Sequence, residues 1–398
     1  MFPPPYVLKL ILLSLTAHMA LSGARITTSL YALSLQASEF TVGSLVALFS
    51  LFPMLFAVAA GRMLDRSGIA RPLMASALAI VIGCALPAMI GGLAILYLAT
   101  LLVGTGFMVI QVAAQHTVGA ISSNEDRASN YSWLALGFSV SGFCGPVLAG
   151  FLIDHASYRI SFAAFAVSAT AALILGVTGS RPAGGFGGHD GKAAPARTAA
   201  TARSSMLDLL AGREMRRIYI VGTLLSSAWD LFTFILPIHG TRLGFSASTI
   251  GLILGCFSAA TFAVRLAMPW ISRRHGEWQV LSVALPLAAF CYALIPLMAQ
   301  PLSLTAVAAL LGIAVGSSQP NMLALLHRHA PAGRAAEAVG VRVMIGNACQ
   351  VLLPLAFGGA GAALGMKAVF WSMGILIGAG IPLAVRKLEA EAGTGPAD

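Results

Sequence analysis

The sequence predicts an all-α integral membrane protein of twelve transmembrane helices in two pseudo-symmetric six-helix halves. Three observations carry this. The chain of 398 residues is 58% hydrophobic and only 10% charged, whereas a soluble domain carries about 25% charged residues. Uncharged apolar runs recur along its whole length, each of the about 20 residues needed to cross a hydrocarbon core of about 30 Å. The chain also repeats itself at an offset of 208 residues. In lipid a backbone segment satisfies its own polar groups by forming a helix, so each run is expected to be one.

In chain order, the expected spans start near residues 6, 40, 73, 94, 131, 158, 218, 248, 279, 303, 337 and 367. The only charge near the start of the first is Lys9, and no clear cleavage site follows, so it is expected to be a retained helix, not a signal peptide. A segment rich in Gly, Ala and Arg follows the sixth run. It lacks apolar periodicity at its start and is expected to be a flexible linker. The predicted layout is a first half over 1–180, a cytoplasmic linker over 181–217, a second half over 218–388 and a tail over 389–398.

Charge sets the sidedness. With the N-terminus inside, the cytoplasmic loops and tails hold 18 of the 24 Lys and Arg residues, and the opposite loops hold Arg159, Arg242 and Lys367. Both termini are therefore expected in the cytoplasm, in a membrane of the bacterial inner-membrane kind. A net charge of +10 then needs no nucleic acid, because basic loops facing anionic lipid account for it. The five cysteines all fall inside apolar runs with no CxxC or Cys/His pattern, so neither a disulfide framework, a metal nor a cofactor is expected.

At offset 208, Gly43 falls on Gly251, Phe49 on Phe257, Gly68 on Gly276, Gly104 on Gly312, Gln111 on Gln319 and Pro146 on Pro354. The same offset lays GRMLDRSG, from Gly61, over PWISRRHG, which ends at Gly276. A charged turn thus recurs after the second helix of each half. This parallel duplication is the design of a secondary transporter, with a substrate path near mid-membrane.

These residues identify the chain as similar to the major facilitator superfamily along its whole length. The superfamily's loop of form G-x-L-x-D-R-x-G-R-R is matched by Gly61, Met63 in the Leu position, Asp65, Arg66 and Gly68. Only Arg71 remains of the final basic pair. GFCGPVLAG, with Gly145, Pro146 and Gly150, resembles the Gly-Pro motif of the antiporters, and SYRISF at 157–162 resembles the piece that follows it. The resemblance implies the superfamily's twelve-helix fold, alternating access, and an inner latch in which Asp65 meets the positive N-terminal end of the eleventh helix near Ala335 to Glu337. Topology-setting charge alone is the plainer reading of that turn. One position departs from the pattern. Thr100 stands where many proton-driven drug antiporters of the family carry Arg, which argues against that relay here.

A charge at the bilayer centre costs about 2.5–3.5 kcal/mol on insertion scales, so each one within a span needs a reason. Arg25, Asp230, Arg265 and Arg342 lie within spans. Arg25 binds substrate or snorkels outward. Asp230, near the middle of the seventh span, is the candidate proton carrier, or else the partner of a permanent ion pair. Arg265 occupies a place similar to that of the arginine with which the family's monocarboxylate and oxalate carriers hold a carboxylate. Arg342 binds substrate or pairs with Glu337. Three cations against one carboxylate favour an organic anion, which Arg holds through paired hydrogen bonds. Gln111, Gln319 and Asn347 complete the candidate substrate-binding set, while His18 and His116 read as packing residues.

The leading expectation is a secondary transporter of small carboxylate-type anions, functional as a monomer, with protons as a possible second cargo. A drug or metabolite exporter is the alternative. A membrane enzyme lacks support, since the sequence shows no nucleophile–base pair, HExxH, metal cluster or phosphate loop. The two-half repeat favours alternating access over a channel or receptor.

Overall fold

The computed structural model describes residues 5–121, 127–179, 212–331 and 335–393. Within them twelve α-helices follow one another: α1 Pro5–Ser34, α2 Glu39–Ser67, α3 Ala70–Met89, α4 Leu93–Ile121, α5 Arg127–His155, α6 Tyr158–Gly179, α7 Arg213–Arg242, α8 Ala247–Ile271, α9 Glu277–Leu294, α10 Pro301–His329, α11 Ala335–Leu364 and α12 Met366–Gly393. A short 3-10 turn, Ile295–Leu297, extends α9. Twelve of the described helices are long and apolar enough to cross a membrane. Helix α7 begins at Arg213, within the segment expected as linker. Most of that segment and the last residues of the tail lie outside the described residues.

Apolar surface is distributed as lipid demands. Leu302, Met89, Ile375, Leu364 and Val167 are each at least 70% exposed. Such side chains face hydrocarbon at no cost, whereas in water so many would mark an aggregating protein. With lipid as apolar as the helix surfaces, close packing and interhelical hydrogen bonds take over the work of the hydrophobic effect, and small residues let helices approach.

The chain divides into two compact units. Unit 1 comprises residues 1–201 together with Ser246–Leu252, and unit 2 the remainder. In unit 1, α1 packs on α5 and α6, α3 on α4 and α6, and α2 on α4. In unit 2, α9 packs on α10 and α12, and α7 on α10, α11 and α12.

The offset-208 repeat is a repeat of contacts. Gly104 of α4 lies so close to α2 that a Cβ there would run into the carbonyl oxygen of Phe49. Gly312 of α10 stands in the same relation to the carbonyl oxygen of Phe257 of α8. Both members of the pair, Gly and Phe, recur at the one offset. The two charged turns differ more than the repeat suggests. Gly68 ends α2 at φ 74°, a left-handed conformation that glycine adopts without penalty, while Gly276 precedes α9 at φ −70°.

Ion pairs gather at the ends of helices in unit 2. Glu214 at the start of α7 accepts from Arg217 at 3.0 Å and forms an ion pair with Lys387 of α12 at 3.3 Å, and Glu277 accepts from Arg328 at 2.6 Å. These tie the start of α7 to the end of α12, and the start of α9 to the end of α10.

Candidate functional site

The buried face of α7 organises the site in unit 2. Gly222, Ser226 and Asp230 recur every four residues and so stack along one side of the helix, with Thr223 beside them. Opposite them, Arg342, Gly346 and Gln350 of α11 recur at the same spacing, with Asn347 on the adjoining strip. Together these residues line a cavity of ≈ 170 Å³. Asp230 is only 6% exposed at its wall. Cys349 also lines it and lies within electrostatic reach of Asp230. Gly222 permits the close approach of α10, since a Cβ there would sit 3.0 Å from Cε of Met322.

Arg265 of α8 is held on two sides. Its Nη2 donates to Oε1 of Gln319 on α10 at 2.8 Å. Its guanidinium carbon lies 5.8 Å from the centroid of the Trp229 ring, which packs on Phe257 at 4.7 Å. Its Nε is buried and makes no hydrogen bond to any of the described residues, although a buried charged donor left unmatched costs about 1–3 kcal/mol or more. Arg342 lies near enough for the two positive charges to repel one another. Two guanidinium groups and one carboxylate therefore share this region of unit 2. Deeper in the unit, the Tyr292 hydroxyl donates to the carbonyl of Ala228 at 2.6 Å and anchors α9 to α7 two residues from Asp230.

The structure brings Asp230, Arg342 and Asn347 to one cavity and joins Arg265 to Gln319. Arg25 on α1 and Gln111 on α4 are half-buried in unit 1. Gln319 is thus more than half of a repeat pair. Its partner Arg265 has Ala57 as its counterpart at offset 208, so Gln111 has no arginine at the equivalent place. Trp229, Ser226 and Gln350 belong to the region although the sequence reading had not placed them among the site residues. The four-residue spacing Gly222, Ser226, Asp230 was the signal for Ser226. Trp229 carried none beyond its place beside Asp230.

In unit 1, His18 packs as expected. Its Nδ1 lies 2.6 Å from Oγ of Ser141, and its ring meets Phe107 and Phe138 at 5.1 and 5.2 Å. Gly145 lets α5 press against α1, where a Cβ would strike Oγ of Ser22. Pro146 sits within an unbroken α5. Thr100 is fully buried, its hydroxyl donating to the carbonyl of Tyr97 at 2.9 Å. Arg71 is exposed in the first turn of α3. The side chains of Gly61, Asp65, Arg66, His116 and Glu337 lie outside the described residues. The Asp65 latch and the Arg342–Glu337 pair therefore fall there too. Glu39, the first residue of α2, is 6% exposed, a second buried carboxylate that the sequence reading did not single out. A helix N-terminus favours negative charge at that position. Among the described residues no cluster of His, Cys, Asp and Glu is arranged to hold a metal.

Twelve membrane-crossing helices in two repeated units, with charged and amide side chains converging on a cavity in one of them, define a membrane carrier. The chain belongs to the Major Facilitator Superfamily, whose family model matches residues 10–354 and 218–397. The protein is accordingly a transporter of that type and an integral membrane protein. Solved structures with the same fold include a POT family transporter in complex with a thioalcohol-conjugated peptide, at 13% identity and a TM-score of 0.79, covering 97% of this chain and 96% of that one. A peptide transporter POT in complex with sulfate matches at 15% identity and 0.77, covering 98% and 94%. A bacterial homolog of the human lysosomal transporter Spinster, inward-facing and occupied, matches at 14% and 0.75, covering 96% and 97%. No curated protein matches the chain in sequence.

Proposed function

We propose that the protein carries a small organic anion of the carboxylate type by alternating access, with Asp230 coupling its movement to a proton. The observation that supports this most is the composition of the unit 2 region. Asp230 and Arg342 line one cavity, and Arg265, steadied by Gln319, carries a buried Nε that no group among the described residues accepts from. A carboxylate oxygen is the natural acceptor for such a fork. The cavity volume of ≈ 170 Å³ lies below the about 300–1,000 Å³ of sites for drug-sized ligands, which favours a small solute. On this reading Gln319 orients Arg265, Asn347 and Gln350 hold the polar remainder of the substrate, and Asp230 binds a proton at one step and an arginine at another. Arg25 and Gln111 of unit 1 are likewise proposed as substrate-binding residues. Gly61, Asp65, Arg66, Gly68 and Arg71, with Gly145 and Pro146, serve the conformational change, Asp65 as the inner latch. The functional unit is the monomer.

The test is a panel of carboxylates and lipophilic cations against the purified protein, read by thermal shift and then by counterflow in proteoliposomes. A stabilising carboxylate whose uptake saturates and is accelerated by the same compound on the far side is the expected result. If only lipophilic cations do this, the exporter reading replaces it. Linear, non-saturating flux would mean a channel.

We also propose the bacterial inner membrane as its location, with both termini in the cytoplasm. A reporter fused after Asp398, or inserted near Gly188, is expected to be active only on the cytoplasmic side. Activity on the far side from either position would reverse the orientation.

A further inference from the structure

The proposed substrate site leaves the turn between α8 and α9, Ser272 to Gly276, unused. Its setting is fixed by one face of α8. Ala259, Ala263, Leu266 and Trp270 are all exposed and recur at helical spacing, so they form a single stripe along that helix. Leu266 is 65% and Trp270 61% exposed. On a helix that crosses a membrane such a stripe is turned to the acyl chains, and a tryptophan at its end marks the level of the headgroups. Arg274 follows Trp270 one turn later, with the backbone still wound, since its N–H donates to the carbonyl of Ile271 at 3.0 Å. Its guanidinium carbon lies 4.9 Å from the centroid of the Trp270 ring. The indole covers one face of the guanidinium, while the N–H groups lie in the plane of the fork and stay open at its edge.

Charge at this turn is unbalanced. Glu277, the nearest acid in the chain, is taken by Arg328 of α10 at 2.6 Å. Among the described residues neither Arg273 nor Arg274 has a carboxylate within ion-pair distance, and both are exposed. The sequence repeat shows how the imbalance arises. At offset 208 Arg274 falls on Arg66, but Arg273 falls on Asp65 and Trp270 on Arg62. The first half sets an acid beside its arginine. The second half sets another arginine in that place and an aromatic ring one turn before it.

We propose that the α8–α9 turn binds the headgroup of an anionic phospholipid, with Arg273 and Arg274 holding the phosphate and Leu266 and Trp270 lying along an acyl chain. Two arginines without a carboxylate match a phosphodiester, which Arg holds through paired hydrogen bonds. The apolar stripe that ends at the turn serves a lipid and would be idle for a soluble anion. The cation–π contact keeps Arg274 against the helix, where the headgroup arrives, instead of extended into water. This site is separate from the cavity beside Asp230, and its test involves no transported substrate.

The experiment titrates full-length protein in detergent with dioctanoyl phosphatidylglycerol or dioctanoyl phosphatidylcholine and follows the melting temperature. The anionic lipid should stabilise saturably and at lower concentration than the zwitterionic one. Arg273→Gln with Arg274→Gln should raise the half-saturating concentration of phosphatidylglycerol by roughly fivefold per arginine and leave that of phosphatidylcholine unchanged. Trp270→Leu, which keeps both charges and the apolar surface, should raise it by about two- to fivefold. Arg213→Gln with Arg386→Gln removes two exposed cations elsewhere in unit 2 and should change nothing. An equal loss in that control would mean diffuse charge attraction and overturn the site, as would parental binding in the Arg273, Arg274 double variant. Should the double variant fail to elute as folded protein, Arg274→Lys decides, because it keeps the charge without the fork: weaker binding supports the site and parental binding overturns it. Inorganic phosphate at the same concentration should not compete with the lipid. Competition would make the turn a site for a soluble anion and overturn the lipid assignment.

Discussion

Replacing Arg265 by alanine should weaken binding of the proposed anionic substrate by roughly 10- to 100-fold, the equivalent of one charged hydrogen-bonded contact of about 1.5–3 kcal/mol. Arg265 is pre-positioned for this. Gln319 fixes one Nη2 at 2.8 Å and Trp229 lies under the guanidinium, so little rotamer entropy is lost when an anion arrives. Arg265→Lys keeps the charge but has neither the planar fork nor the fixed geometry, and should recover only part of the affinity. Gln319→Ala should act in the same direction and more weakly, because it frees the fork without removing it. Arg342→Ala should match Arg265→Ala in size, since the two guanidinium groups share one region. Isothermal titration of the purified variants, with size-exclusion profiles to verify folding, gives the result directly. Wild-type affinity in both alanine variants would make the arginines structural.

Asp230→Asn should abolish proton-driven accumulation while leaving exchange of substrate across the membrane intact. Asp230 is 6% exposed and lines the same cavity as Arg342. There a carboxylate that alternates between holding a proton and holding a guanidinium can make the availability of the arginine depend on protonation. Asparagine is nearly the same size but holds one charge state, so the site persists while the dependence disappears. In proteoliposomes, an imposed inward proton gradient should drive uptake above equilibrium for the wild type and not for the variant, and counterflow should proceed in both. Loss of both activities would make Asp230 a binding residue, and retention of both would remove it from coupling.

Particular residues show how far the sequence could be read. The recurring Gly and Phe at offset 208 are the two sides of one contact, Gly104 with Phe49 and Gly312 with Phe257. A duplicated contact leaves a duplicated pair of letters. Arg265 and Gln319 illustrate the opposite case. The glutamine obeys the repeat and the arginine breaks it, and nothing in their separation of 54 residues announces a hydrogen bond. Trp229 has no neighbourly pattern to distinguish it from a lipid-facing aromatic. Asp154 looks like an ordinary charged helix end until Ala247 and Ser248 are seen to donate to it.

By itself, the sequence determined the number of helices, their order, the duplication and the charge bias of the loops. These depend on properties that a bilayer reads along the chain: the length of each apolar run, and where Lys and Arg interrupt the runs. Only the tertiary structure decided which polar side chains meet. That depends on how each helix is rotated about its own axis. A helix apolar on every side has no polar stripe to reveal its rotation, so the rotation is set by where small residues such as Gly104, Gly150 and Gly312 let neighbouring backbones come close. The convergence of Asp230 and Arg342 on one cavity, and the meeting of Arg265 with Gln319 and of Asp154 with the first turn of α8, are consequences of that packing.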